Sequence, residues 1–381
     1  MSIHFDQLRW KKIEETYYAW WNGTLGRPVV KVTVRDAYQS EREKPKAPLL
    51  SQLNCGDFSY SPEELIDSLD YELSKMEFLG DAFPYVNMAA FGPASLAGFC
   101  GAQMDNSTGS VWYFPKEKKT PEELTIRYDP NSVYARRIKE IYRAGQERWG
   151  GNVLMSMPDL GGFQDVLAVL LGSEELIYAL YEEPEEIQRL SGEVYSAFVE
   201  AYEDFSKVLF PKNPGYSDWG GLFSKEPSYI LQDDFAYMIS PAMFQEFALQ
   251  DIVRETKRLK HTIYHLDGIG NLNHLDALLG CKELDAIQWV YGAGQPGAIH
   301  WREVYNKIAA AGKNIEIIGS LEDFSQLSDI YGDKLFYHLL VDDKKGSAQK
   351  SIDYKDCLSD YHIVSRDQFP QVLELLKKLG I

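Results

Sequence analysis

The sequence predicts a single α/β domain folded as a (β/α)8 barrel, the TIM barrel architecture. Short apolar segments alternate with longer amphipathic segments along the chain, as parallel strands connected by helices require. Eight such apolar segments follow the first strand, which matches a closed barrel. An open, doubly wound sheet is the alternative fold. It would usually carry a GxGxxG run directly after a strand, and the sequence has none.

Residues 1–80 are expected to form an N-terminal extension that packs on the barrel. Apolar residues at helical spacing predict a helix over 10–21, and a β-branched run predicts a strand over 29–34. Ser61 and Pro62 are typical of a helix start, so a second helix is expected over 62–79.

The barrel itself is expected to follow as strands and helices in turn, with residues 1–381 forming one domain. The predicted strands are 83–90, 153–157, 216–221, 262–267, 286–290, 314–318, 335–340 and 361–364. The predicted helices are 130–148, 174–180, 184–209, 241–259, 272–279, 301–311, 325–330 and 368–379.

Composition excludes several classes of partner. The formal net charge is −18, and such a surface repels nucleic acid and anionic membranes. The four cysteines are far apart and lack CxxC spacing, which argues against a disulfide framework. The first residues contain no apolar signal segment and no apolar run is long enough to span a membrane, so a cytoplasmic location is expected.

The clearest candidate site closes the predicted strand 262–267. Side chains alternate along a strand, so His265 and Asp267 point to the same side. If that side is the barrel mouth, the pair can bind a metal, or Asp267 can orient His265 as a general base. Tyr264 is expected to contact the substrate beside them. The structural alternative is an interior histidine with an aspartate that caps the next helix.

Acidic residues end other strands of the predicted barrel. Asp233 and Asp234 alternate, so one of them is expected to face the pocket, and Asp233 is predicted to join His265 and Asp267 as a catalytic residue. Asp218 and Asp159 also lie at strand ends and are predicted to contact the substrate.

A third group closes the predicted strand 286–290. Gln288 can donate to a carboxylate or carbonyl of a substrate, and Trp289 and Tyr291 can form a wall of the pocket. Trp289 is equally suited to the core. The sequence contains no GxSxG elbow, HExxH motif or Walker loop, and no bound nucleotide or flavin is expected.

Several of these segments resemble the uroporphyrinogen decarboxylase superfamily, which includes the decarboxylase of haem synthesis and corrinoid-linked methyltransferases. The matching segments are Phe91-Gly92-Pro93-Ala94-Ser95-Leu96, 174–185, 233–241, His265-Leu266-Asp267-Gly268 and Ala311-Gly312-Lys313. The resemblance extends over most of the chain and implies a (β/α)8 barrel with a deep pocket.

The resemblance also implies a zinc site, because the methyltransferases hold zinc through a His-x-Cys pair and a later cysteine. Here the pair is His265 and Asp267, and the late Cys357 lacks the usual Cys-Gly context. A carboxylate donates less charge to the metal than a thiolate does. The expectation is therefore a harder zinc site of His265, Asp267 and Asp233, or no metal.

The function expected from the resemblance is demethylation of a small methylated substrate, with transfer of the methyl group to a separate corrinoid protein. Cobalamin belongs on that partner, because the chain has no DxHxxG run. Decarboxylation of uroporphyrinogen is disfavoured, since the strand ends carry acids rather than arginines. The alternatives are a decarboxylase-like lyase or hydrolase that uses the strand-end acids, and a non-catalytic barrel that binds a small ligand.

Overall fold

The protein is a mixed α/β structure built around a mostly parallel sheet. The computed structural model describes residues 3–210, 212–342, 356–359 and 362–381. The strands are β1 Val29–Val34, β2 Glu77–Gly80, β3 Tyr85–Val86, β4 Gln103–Asp105, β5 Trp112–Phe114, β6 Leu154–Met155, β7 Ser228–Gln232, β8 His261–Asp267, β9 Ala286–Val290, β10 Asn314–Ile317, β11 Leu335–Val341 and β12 Ile363–Val364.

Helices lie between most of these strands. They are α1 Gln7–Trp21, α2 Pro62–Leu73, α3 Ser95–Phe99, α4 Val133–Trp149, α5 Phe163–Leu171, α6 Ser173–Glu182, α7 Pro184–Leu209, α8 Pro241–Met243, α9 Leu249–Arg258, α10 Leu275–Leu279, α11 Arg302–Ala310, α12 Leu321–Tyr331 and α13 Phe369–Lys378. A π-helical turn, Phe244–Ala248, joins α8 to α9 without a break.

The large sheet has eight strands, seven of them in the order β2-β1-β11-β10-β9-β8-β7, with β12 beside β11. The neighbours along β1-β11-β10-β9-β8-β7 are parallel, and β2 is antiparallel to β1. The carboxyl ends of the parallel strands therefore lie at one edge of the sheet, where strand-end side chains meet.

The strand pairing does not form a closed ring among the residues that the structure describes. β3 and β6 pair with each other in a separate parallel sheet. The segment 216–221, which the sequence predicts as a strand, is a turn with one isolated bridge between Tyr216 and Ser224. The mixed α/β architecture is confirmed, and closure of the barrel stays a prediction.

Several elements differ from the sequence prediction, and α3, β4 and β5 are among those that it lacks. Strand β7 was not predicted, because only Tyr229-Ile230-Leu231 marks it and a charged Lys225-Glu226 pair precedes it. Helix α5 was also missed. Helix α2 ends at Leu73, and 77–80 is strand β2 on β1 instead of the last turn of that helix. Within the predicted strand 361–364, residue 361 lies outside the described residues and β12 covers 363–364.

Helix α1 covers the amino ends of the large sheet. The Trp20 indole donates to the carbonyl of Leu335 at 3.1 Å, and the Asn314 amide donates to the carbonyl of Trp20 at 3.4 Å. The ring of Trp21 stacks on His261 with 4.6 Å between centroids. Leu335, Asn314 and His261 are the first residues of β11, β10 and β8, so α1 lies at the end of the sheet opposite the predicted site.

No helix within the described part of the chain combines the length and the apolar character needed to cross a membrane.

Candidate functional site

Three polar side chains meet at the carboxyl ends of β7 and β8. His265 and Asp267 are half-buried on the same face of β8, and Asp234, which is exposed, follows β7. The nearest ligand atoms of these three residues all lie within 4.8 Å of one another. One imidazole and two carboxylates at this spacing form a set of N and O donors for a divalent cation.

Asp165, in the first turn of α5, holds the backbone of Asp234 in position. Its carboxylate accepts from the backbone N–H groups of Asp234 at 3.1 Å and Phe235 at 2.8 Å. It also accepts from the N–H of Gly162 at 3.2 Å. A single carboxylate thus fixes the turn after β7 against the start of α5, and this turn directs the Asp234 side chain toward His265.

The close approach of α5 to β7 requires glycine at position 162. A Cβ atom there would lie 2.2 Å from the carbonyl oxygen of Gln232 and 2.9 Å from the Cα of Asp233. We expect Gly162→Ala to lower the free energy of unfolding by about 1–3 kcal/mol, because backbone atoms must move to relieve the overlap. Chemical denaturation measures this change.

Gly192, within α7, provides the matched control, since a Cβ there meets nothing within 4 Å. Gly192→Ala should raise the free energy of unfolding by about 0.5–1 kcal/mol, the usual gain for alanine in a helix interior. Equal effects of the two substitutions would contradict the close approach at Gly162.

Neighbouring side chains orient the imidazole of His265. Nδ1 is hydrogen-bonded to Oε1 of Gln288, the residue paired with it on β9. Because a carbonyl oxygen can only accept, Nδ1 is the donor, and in the neutral imidazole Nε2 then carries the lone pair. The ring of Trp219 meets the imidazole edge to face, with 4.8 Å between centroids. His265 can therefore offer Nε2 to a metal ion or to a proton.

The electrostatics of the trio favour a bound cation. Burial raises the pKa of Asp267, the nearby His265 lowers it, and the charge of Asp234 raises it further. A divalent cation between these carboxylates would offset their repulsion and the cost of burying charge.

The structure places Asp233 outside this trio. Its carboxylate accepts from the backbone N–H of Ala236 at 3.2 Å and so caps the short 3₁₀ helix Asp234–Met238. Asp233 is buried, and both burial and the nearby Asp165 raise the pKa of its carboxyl group. The group whose ligand atoms lie close together among the described residues is Asp234, His265 and Asp267, and it does not include Asp233, whose catalytic role stays a prediction.

The predicted substrate contacts fall into two groups. Gln288 lies beside His265, as described. Tyr264 and Trp289 alternate with His265 and Gln288 and so lie on the other face of the sheet, where Trp289 packs on Trp301 at 5.3 Å. Both are buried core residues in this structure, and burial, followed by the charge of the nearby Asp233, raises the pKa of the Tyr264 hydroxyl.

Tyr291 and Asp159 lie at the edge of the sheet, near its carboxyl ends. Tyr291 follows β9, is half-buried and stacks on Trp301 with 6.2 Å between centroids. The carboxylate of Asp159 accepts from the N–H of Gly161 at 3.0 Å. Burial raises the pKa of Asp159, and the negative charge of Asp234 raises it further, which indicates that Asp159 lies near the trio.

A second set of charged side chains is buried deeper on the same face of the sheet. Nε2 of His338 lies 3.2 Å from Oε1 of Glu316, and Nζ of Lys31 donates to the carbonyl of Gly221 at 2.7 Å. Asp218 is the fourth charged residue of this group, and its side chain is also buried. Burial, and then the charge of Glu316, raises the pKa of Asp218 to about 7.

Lys31, Glu316 and His338 were missed by the sequence argument, although each left a signal. Each lies inside a strand whose residues are all or nearly all buried, in VVKVTV, NIEI and LFYHLLV. A charged residue in such a strand is rare unless it is paired or functional. Trp219 was missed because its segment was expected to be a strand, whereas it lies in a turn.

Comparison with known proteins gives a likeness in fold. No family model matches the chain, and no curated protein matches it. A solved methyltransferase from Methanosarcina mazei superposes with a TM-score of 0.55 over 86% of this chain and 92% of that chain, at 13% identity. At this identity the likeness establishes a shared fold and leaves the activity to be argued from the site.

Proposed function

We propose that this protein is a methyltransferase that removes the methyl group from a small methylated substrate and passes it to a separate corrinoid protein. The observation that carries the proposal is the trio of Asp234, His265 and Asp267, with Nε2 of His265 free. The resemblance to corrinoid-linked members of the uroporphyrinogen decarboxylase superfamily and the fold shared with a methyltransferase support it.

The proposal includes a closed barrel, in which β3, β6 and the segment 216–221 fill the gap between β1 and β7. Two hydrogen bonds support this arrangement. The N–H of Met157 donates to the carbonyl of Ser217 at 2.9 Å, and Nζ of Lys31 on β1 donates to the carbonyl of Gly221 at 2.7 Å. The segment is thus linked to β1 and to the residues that follow β6.

Zinc fits the trio, because one imidazole and two carboxylates are ligands that zinc accepts and three protein ligands leave a position open. Gln288 supplies the outer hydrogen bond that keeps the imidazole in the metal-binding tautomer. When bound, zinc would stabilise the negative charge that develops on the substrate atom losing its methyl group.

The side chains around the trio would bind and orient the substrate. Trp219, edge-on to His265, forms an apolar wall that limits how the methyl-bearing atom can lie. Burial raises the pKa of Asp159, so its carboxyl group can stay protonated and donate a hydrogen bond to a substrate oxygen.

Metal analysis tests the trio. We expect protein purified without a chelator to hold about one equivalent of zinc, and Asp234→Ala to weaken zinc binding by at least about 100-fold, because a ligand is lost. Mass spectrometry of the metal and titration with a zinc indicator measure the two quantities.

Asp233→Ala is the matched control, because Asp233 caps a short helix next to the trio. It should keep the zinc and lower the free energy of unfolding by about 1 kcal/mol, the usual effect of losing a cap. Loss of zinc from Asp233→Ala alone would restore the ligand set expected from the sequence.

A decarboxylase-like lyase is the second candidate function, and the pKa of Asp218 favours it. A buried carboxyl group whose pKa is raised to about 7 is suited to proton transfer near neutral pH. Assays with and without cob(I)alamin separate the two functions. A methyltransferase forms methylcobalamin from the methylated substrate, whereas a lyase turns over without the corrinoid.

A further inference from the structure

We propose that the site extends inward to a subsite for a hydroxyl group, so that the methylated substrate also carries a hydroxyl. The subsite is formed by Nε2 of Gln288 and Oε2 of Glu316. This inference rests on the proposed function for the methyl group, and it identifies a chemical class of substrate for the same site.

These two atoms are buried polar groups without a hydrogen-bond partner among the described residues. Gln288 is 1% exposed and Glu316 is fully buried. Leaving a buried polar atom unsatisfied is costly, and such atoms in folded proteins usually have a structural or functional reason. A ligand that completes both hydrogen bonds provides that reason.

The two residues are neighbours on the same face of the sheet. Glu316 on β10 pairs in register with Gln288 on β9, which pairs in turn with His265 on β8. The second polar atom of each side chain is engaged, because Oε1 of Gln288 is bonded to His265 and Oε1 of Glu316 to His338. One donor and one acceptor therefore stay open on paired residues of neighbouring strands.

A hydroxyl group matches this pair, because it accepts from an N–H and donates to a carboxylate. An ether oxygen can accept from Gln288 but cannot donate to Glu316. A carboxylate can accept from Gln288 but has no hydrogen to donate to Glu316. A quaternary ammonium has no hydrogen to donate and no lone pair to accept with.

The position of the subsite limits the size of the substrate. Adjacent strands lie about 4.8 Å apart, so Glu316, two strands from His265, is on the order of 10 Å away along the sheet. A single six-membered ring with two substituents is of comparable length, and the ring of Trp219 offers an aromatic surface near His265.

Binding of two probes tests the inference without any need for turnover. 3-Methoxyphenol and 1,3-dimethoxybenzene differ in one hydroxyl, which is methylated in the second compound. We expect calorimetry on the full-length protein to give a dissociation constant at least about tenfold lower for 3-methoxyphenol, because only the phenol satisfies both open atoms.

Glu316→Gln should reverse this preference. The amide keeps an oxygen for His338 and presents N–H groups where Oε2 was, so the subsite then has two donors and favours the ether. Glu322→Gln, at an exposed position on α12, is the control and should keep the preference of the unmodified protein. Thermal unfolding of each variant checks that the fold is intact.

Equal binding of the two probes, no binding of either at millimolar concentration, or an unchanged preference in Glu316→Gln would overturn the subsite. Equal binding is also the result expected if only water occupies this position. If 3-methoxyphenol is preferred but no methyl group reaches cob(I)alamin, the hydroxyl subsite stands and the proposed methyltransferase function fails.

Discussion

Replacing His265 by alanine should lower the rate of methyl transfer by roughly 10²–10⁴-fold, the range expected when a positioned acid–base group or metal ligand is lost. His265 is the only nitrogen donor of the trio, and its Nε2 is left free by the hydrogen bond from Nδ1 to Gln288. The measurement is single-turnover formation of methylcobalamin from a substrate that the unmodified protein demethylates. Zinc content is followed in parallel.

His300→Ala is the control for this substitution, because His300 is exposed and lies outside the trio. It should leave both the rate and the zinc content unchanged. An undiminished rate in His265→Ala, with the fold intact by thermal unfolding, would remove His265 from the mechanism.

Asp218→Asn should stabilise the protein at alkaline pH by up to roughly 4 kcal/mol, since the pKa of this carboxyl is raised from an ordinary 3.8 to about 7. Between these values the folded protein keeps the proton of Asp218 and the unfolded chain releases it. The contribution of Asp218 to the free energy of unfolding therefore falls as the pH rises from about 4 to 7, and it stays constant above. Asparagine does not titrate and avoids this loss.

The measurement is the difference in free energy of unfolding between Asp218→Asn and the unmodified protein, by chemical denaturation at about pH 4 and about pH 8. It should be near zero at the lower pH and largest at the higher. Asp276→Asn, an exposed position paired with Lys307, should change the free energy of unfolding by less than about 1 kcal/mol at either pH. A pH-independent difference for Asp218→Asn would show that Asp218 is ionised in the folded protein.

The pairing of His265 with Asp267 was accessible from the sequence, because strand alternation puts residues two apart on one face. The same rule says that only one of Asp233 and Asp234 faces the site, but it does not say which. The choice is made by Asp165, 69 residues away in the chain from Asp234, which binds the backbone of the turn after β7. A contact between residues so far apart in the chain produces no local sequence pattern from which it could be predicted.

The deeper charged residues could have been predicted and were not. Lys31 and Glu316 lie in short, largely apolar strands in which nearly every residue is buried. In such a strand a charge has to find partners within the protein, so its presence indicates a polar interior. Strand β7 was harder to find, because its three apolar residues are too few to distinguish a strand from a loop.

Because α1 covers the amino ends of the strands, it should affect the rate at which a bound ligand leaves the site. Trp20 lies against Leu335, next to the strand position that pairs with Glu316. A small molecule held by Glu316 would then be enclosed on that side and would enter and leave past His265. Its dissociation should be slowest when the mouth is occupied, so that a partner docked there would retain the product until it withdraws.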